Sequence, residues 1–253
     1  MRISSCTAAA FMLLLAQAVA VKAAEVKLLS AAAMEAVVSE LGPQFERTTG
    51  HRLTVRFGVA GVLKRQIEAG ETFDVTILTP PLIDDLFKQG KIATGTRTAI
   101  ASAGLGVIVR AGAPRPGISS ADAFKRALLN AQSIGVTKDT PSAAYFARLI
   151  DRLGIAEQMK PKTKLHEGSG ATEQAVAAGD SELGFMIIAA LLHFPGAELL
   201  GPLPPELQNY TVYTGGVGTS AKEPAAAKAL INFLTSKSAV PVIKAKGMEP
   251  ATP

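Results

Sequence analysis

The 253-residue chain has one cysteine, no tryptophan and three histidines. The single thiol, Cys6, stands ahead of an apolar run, so nothing downstream can form a disulfide, a cysteine-based zinc site or a thiol nucleophile. The histidines, at 51, 166 and 193, show neither HxH nor HxxxH spacing, which leaves no metal-ligand pattern. Neither a metal nor a cofactor is therefore expected. Without tryptophan, and without a Lys/Arg stripe interleaved with aromatics, nucleic acid is not an expected partner. Ser169 lies in GSG rather than a G-x-S-x-G elbow, so serine-centred catalysis has no support. Past the first 21 residues, no apolar stretch reaches membrane-spanning length.

What is present begins with a leader pattern. Arg2 gives a positive start, residues 9–21 (AAFMLLLAQAVAV) are almost unbroken apolar, and small-residue cleavage patterns end at Ala20 or Ala23. This reads as a secretory signal peptide over residues 1–23, and the periplasm is the expected destination. Cys6 precedes the apolar run and is no lipid-attachment cysteine after cleavage. Loss of Arg2 and Lys22 lowers the formal charge from +5 to +3, a mild excess that suits a small anionic ligand.

The rest alternates short strand-like runs with helical patterns. VKLLSAA (26–32) is a strand, followed by a helix over 34–50 in which Val37, Leu41 and Phe45 recur at helical spacing and Gly50 gives the stop. HRLTVRF (51–57) alternates with period two. A helix over 62–69, a strand at 73–78 and a proline-started helix over 80–92 follow. Residues 99–114 are strand-like with three glycines and no helix between their halves. A second series then runs helix 120–130, strand 133–137, helix 141–155, strand 162–168, helix 171–180 and strand 182–188. Extended runs at 197–203 and 209–218 precede two closing helices, 223–236 and 238–247.

Two βαβ series predict an α/β fold of two Rossmann-like lobes, each a largely parallel sheet with helices on its faces. Chain crossings near Gly104 and Thr214 divide it into residues 24–103 plus 215–253 and residues 104–214. Ligands of open α/β sheets sit beyond the strands' carboxyl ends. That rule selects the loops 30–34, 58–62, 78–81, 138–142, 167–172 and 187–190, most of which run into helix starts that offer free N–H groups to an anion.

Three segments carry a resemblance: SAAAMEAV (30–37), RFGVAGVLKRQIEAGETFDVTIL (56–78) and ELGFM (182–186). Together, over essentially the whole chain after the leader, they resemble the periplasmic molybdate-binding proteins of ABC importers, within the type II periplasmic-binding-protein fold. The resemblance implies capture of a small anion between two hinged lobes, a possible ABC permease as partner and a monomeric state. In that family a serine in each of the first two loops and a later tyrosine hold a tetrahedral oxyanion. Here the first-loop serine corresponds to Ala33, the second loop reads Val59-Ala60-Gly61, and the tyrosine position falls near Ile187 or Ile188. Each lost charge-assisted hydrogen bond is worth about 1.5–3 kcal/mol, so molybdate is disfavoured and a larger organic carboxylate is expected. Periplasmic aconitate isomerases resemble the same family, which makes an isomerase of an unsaturated tricarboxylate the alternative.

The expected ligand contacts are Ala32, Ala33, Met34, Ala60, Gly61, Ser142, Tyr145, His166, Ser169 and Ile187. Thr140 with Pro141 also reads as a helix cap. For an isomerase, the candidates to move a proton are His166, Tyr145 and Lys138. Lys64 and Arg65 read mainly as a solvated flank, and Glu173 is expected to point away, because a second carboxylate would oppose an anion.

Overall fold

A computed structural model describes residues 23–191 and 194–251. Apart from Ala23, the expected leader lies outside these residues, as does His193.

The first lobe grows from strand β1 (Glu25–Ala31), flanked in parallel by β2 (Arg52–Gly58) and β3 (Val75–Leu78). The intervening helices are α1 (Glu35–Thr49), α2 (Ala60–Glu68) and α3 (Pro80–Lys88). Each places one apolar face on the sheet: Val37, Leu41 and Phe45 of α1, Leu63 and Ile67 of α2, and Ile83 and Leu86 of α3 are all buried. Gly50 ends α1 in the left-handed conformation at φ 74°, the stop expected from sequence. In place of a first turn of α1, a short 3-10 turn (Ala32–Met34) intervenes.

Strand β4 (Thr98–Arg110) joins the lobes. Its residues through Gly104 pair antiparallel with β9 (Tyr210–Val217), and from Leu105 onward it pairs with β7 (Leu183–Ile187) and β8 (Ala197–Pro202). The second lobe continues through β5 (Ile134–Thr137), parallel to both β7 and β6 (Thr163–His166). Its helices are α4 (Ala121–Asn130), α5 (Pro141–Arg152), the short α6 (Ala156–Met159) and α7 (Ala171–Ala178). The strand order is β2-β1-β3-β9-β4-β7-β5-β6. After β9 the chain closes the first lobe with α8 (Pro224–Leu234), α9 (Val240–Ala245) and the two-residue β10 (Glu249–Pro250), which pairs with β4.

The pairing moves the second crossing upstream of Thr214. Tyr210 through Thr214 already lie in the first lobe's sheet, because β9 pairs with β3 and with the first half of β4. The chain therefore returns at Gln208 and Asn209. There the Gln208 side-chain amide imitates a strand residue: its Oε1 accepts from the Leu105 N–H at 2.8 Å, and its Nε2 donates to the Leu105 carbonyl at 3.0 Å. The two crossings are stitched together where β4 changes partners.

Asp74, buried just before β3, ties three chain starts of the first lobe. Its Oδ2 accepts from the Lys27 N–H at 2.8 Å, and its Oδ1 accepts from the Lys222 N–H at 2.7 Å, ahead of α8. Asp74→Ala leaves these N–H groups without partners and should lower unfolding stability by about 3 kcal/mol, read as a fall in the denaturant midpoint at unchanged slope.

Candidate functional site

The strand ends of both lobes meet around a cleft. Its deep end is a cavity of about 80 Å³, room for a few water molecules or one small polar head group. The first lobe supplies Ala31–Ala33 and Gly58–Ala60. The second supplies Thr137, Thr140–Ser142, Ser169, Gly170, Glu173, Met186, Ile187 and Ala190, and Tyr213 enters from β9. A wider outer cavity of about 700 Å³ shares Ala32, Ser169, Gly170, Glu173 and Ala190 with the deep one, and adds Glu35, Glu40, Gln174 and Lys246. The expected loop 78–81 does not reach the deep cavity.

Four helical starts border this space: the Ala32–Met34 turn leading into α1, and α2, α5 and α7. The first turns of the 3-10 segment, α2 and α7 have no side-chain cap. In α2 the Gly61 N–H goes to the Asp139 carbonyl and those of Val62 and Leu63 to the Val59 carbonyl, and in α7 the Glu173 N–H meets its own carboxyl. The N–H groups that precede these are left to a ligand. Helix α5 is capped instead, with Thr140 Oγ1 accepting from the Ala143 N–H. Thr140 donates its single proton to the Thr137 carbonyl at 2.6 Å. In the 2.9 Å contact between Thr140 and Ser142 the donor must therefore be Ser142. Ser142 lines the cavity as expected, but its proton is engaged, and only its lone pairs are free unless it rotates.

Besides the exposed Ser169, two polar side chains border the deep cavity with no side-chain hydrogen bond among the described residues. One is the Tyr213 hydroxyl, on a residue 2% exposed, whose pKa burial pushes above its ordinary value. The other is the Glu173 carboxyl, on a residue 6% exposed, which contacts its own backbone N–H. Burial raises the Glu173 pKa above the usual carboxylate range, and that backbone contact opposes the rise only in part. Every fully enclosed side-chain N or O among the described residues has a partner, so these two groups face the cavity rather than a dry core. Glu173 thus points into the cleft, contrary to the expectation from sequence. Third in α7, it follows Ser169 by one turn and shares the face that looks onto the cavity.

Ala32, Ala33, Ala60, Ser142, Ser169 and Ile187 line the deep cavity. Five expected residues do not. Met34 ends the 3-10 turn facing inward and is fully buried in the core. Gly61 lies against the other lobe, its N–H donating to the Asp139 carbonyl at 3.4 Å, and a side chain there would meet that oxygen at 2.9 Å. Tyr145, on the flank of α5 that faces the segment before β9, donates its O–H to the Leu207 carbonyl at 2.7 Å. His166 shares a face of β6 with Lys164, and its Nε2 lies 2.9 Å from Ser181 Oγ beyond the far end of α7. Burial, and then Lys164, hold the His166 pKa below its usual value. Lys138 is exposed and pairs with Glu167 at 3.0 Å, a contact that raises its pKa and keeps it protonated. None of the three proton-moving candidates reaches the cavity.

The lobes also touch beside the cleft. Arg65 Nη2 of α2 lies 2.8 Å from Asp139 Oδ2, in the same loop whose backbone receives the Gly61 N–H. Asp139 adopts φ 61°, a left-handed conformation that aspartate tolerates better than most residues. Lys64 bonds Glu68 at 2.8 Å on its own helix. Among the described residues, no group of three or more His, Cys, Asp or Glu could hold a metal ion.

Two α/β lobes, joined by two strand crossings around a cleft of helix starts, define a type II periplasmic-binding-protein fold. The family model for bacterial extracellular solute-binding proteins matches residues 26–249, and the chain belongs to that family. It is 30% identical over 230 residues to an aconitate isomerase of a Pseudomonas species, covering 88% of this chain and 86% of that protein. It is also 30% identical over 239 residues to the molybdate-binding protein ModA of Azotobacter vinelandii, covering 91% of this chain and 92% of that one. The solved structure of the periplasmic molybdate-binding protein from A. vinelandii superposes with a TM-score of 0.75 at 22% identity, covering 90% of this chain and 99% of that one.

The raised Glu173 pKa makes stability pH-dependent. Below the ordinary carboxylate range both folded and unfolded states hold the proton, and the contribution is full. As pH rises, the unfolded chain releases its proton first, and stability is lost until the folded pKa has been passed. The isosteric Glu173→Gln removes this loss: its melting temperature should match wild type near about pH 4 and exceed it near about pH 8. An offset that is constant with pH would contradict the buried, cavity-facing assignment.

Proposed function

We propose that this protein is a periplasmic solute-binding protein that captures a small organic carboxylate between its lobes for an ABC permease. The observation that carries this reading is the chemistry of the deep cavity. Uncapped helix starts provide N–H donors, whereas the places where the resembled family has its oxyanion-binding serines hold Ala33 and the Val59-Ala60-Gly61 loop, with Ala33, Val59 and Ala60 lining the wall. The deep cavity suits one carboxylate group and the outer cavity suits the rest of the molecule, with Lys246 the one cation among the described residues that line either space. The hinge consists of the partner change in β4 and the return at Gln208, and closure brings Asp139 onto α2.

A second reading is favoured by the position of Glu173 and by the aconitate isomerase relative. Here Glu173, ionised, would take a proton from the methylene carbon of a bound unsaturated tricarboxylate. The double bond would shift toward the carbon that lost the proton, and Glu173 would return the proton to the former vinylic carbon. Incubating purified protein with cis-aconitate and following trans-aconitate by proton NMR tests this reading. Sustained formation that is lost in Glu173→Asp would establish it, and no formation above the buffer rate would exclude it.

For the leading reading, a thermal-shift screen at about 1 mM covers mono-, di- and tricarboxylates, molybdate, tungstate and phosphate. A carboxylate present at 100 times its Kd adds about 2.7 kcal/mol. For a chain of this size that raises the melting temperature by roughly 5–10 °C. Stabilisation by molybdate or tungstate alone would contradict the assignment.

A further inference from the structure

We propose that Glu173 binds the ligand in its neutral form: above its own titration the free protein's carboxyl is ionised, takes up one proton on capture and donates it to the bound carboxylate. The inference rests on the carboxylate reading above and names the group that selects for that class.

Geometry carries the argument. Glu173 is 6% exposed, borders both the deep and the outer cavity, and has no side-chain hydrogen bond among the described residues. No lysine, arginine or histidine among the described residues lines the deep cavity. A ligand carboxylate entering there meets Glu173 with no side-chain cation between them. Two carboxylates confined in one low-dielectric space cannot both stay ionised, and they share a proton. Sharing turns the repulsive group into a donor, joining the Tyr213 hydroxyl and the N–H groups of the helix starts. The bound pair then carries a single negative charge, which the helix starts stabilise.

The other charged groups around Glu173 are engaged elsewhere. Of the strands packed on α7, β5 and β7 carry no titratable side chain. On β6, Lys164 bonds the Asp180 carbonyl and His166 faces Ser181, while Arg110 of β4 lies against Gly179, all at the far end of α7. Glu198 of β8 pairs with Arg115. Across the outer cavity stand Glu35, Glu40 and Lys246, and the last two pair at 2.8 Å. Glu35 is thus the other carboxyl in the cleft with no ion-pair partner among the described residues, and it serves as the control.

The test is isothermal titration calorimetry of the processed protein with acetate, succinate, tricarballylate and citrate, none of which has a double bond to isomerise. Titrations in two buffers of different ionisation enthalpy, Tris and HEPES, repeated from about pH 7 to about pH 9, give the protons taken up per ligand on either side of the Glu173 titration. The proposal expects about one proton for wild type and for Glu35→Gln, with affinity falling about tenfold per pH unit above the Glu173 titration. Glu173→Gln, folded by circular dichroism, should bind the same ligand without proton uptake and without this pH dependence. Wild-type binding with no proton uptake overturns the proposal and leaves the carboxylate reading standing. So does loss of uptake in Glu35→Gln, or loss of binding in folded Glu173→Gln. Absence of binding by all four acids overturns both. If Glu173→Gln does not fold, the wild-type proton count decides alone.

Discussion

An anion in the deep cleft has dipoles to hold it, and no side-chain cation among the described residues. That constraint organises the rest of the structure. A parallel β-α order places the carboxyl ends of strands and the N-terminal ends of helices on one edge of each sheet. When two such edges face each other, several partial positive charges converge, each equivalent to roughly half a unit charge. The chain then needs no arginine clamp, and its small net charge is consistent with this. The cost is precision: N–H groups attract any small anion, and selectivity has to come from the side chains between them.

On the reading proposed above, those side chains suit an organic acid better than a metal oxyanion. Ala33 and Ala60 leave methyl groups on the wall, and Ser142 has its proton turned toward Thr140. The polar groups still open to the cavity are the Tyr213 hydroxyl, the Glu173 carboxyl and the exposed Ser169 hydroxyl. A fixed negative charge at Glu173 would undo what the helix starts provide, whereas a neutral acid there adds to it. On the proposal above, the site accepts an anion only with its own acid neutral. The contact between the lobes adds a geometric condition. Gly61 approaches the Asp139 carbonyl so closely that any side chain would collide, which joins the helix of one lobe to a loop of the other.

Most of the architecture was legible in the residues. Periodicity located the strands and helices because each helix buries one stripe and each central strand is flanked by apolar runs, as Leu41 and Phe45 in α1 and Val75 to Leu78 in β3 show. The wall formed by Ala32, Ala33, Ala60, Ser169 and Ile187 was readable from strand-end loops alone. Orientation within those loops was not. Met34 and Gly61 are neighbours of true wall residues, and one residue of rotation sends the first into the core and the second across to Asp139. His166 was misplaced because side chains alternate along β6, and a strand's face cannot be read without its sheet partners. Tyr213 lies on an antiparallel strand returning from the other lobe, outside any strand-to-helix loop. The expectation that Glu173 points away rests on electrostatic grounds that hold only for its ionised form.

We propose that the cleft selects an organic carboxylate over an inorganic oxyanion. Native mass spectrometry of the protein isolated from its producing cells, without dialysis against competing anions, measures this directly. A bound species with the mass of a small organic acid, released on mild activation, is expected. An adduct carrying the isotope envelope of molybdenum or tungsten would contradict it.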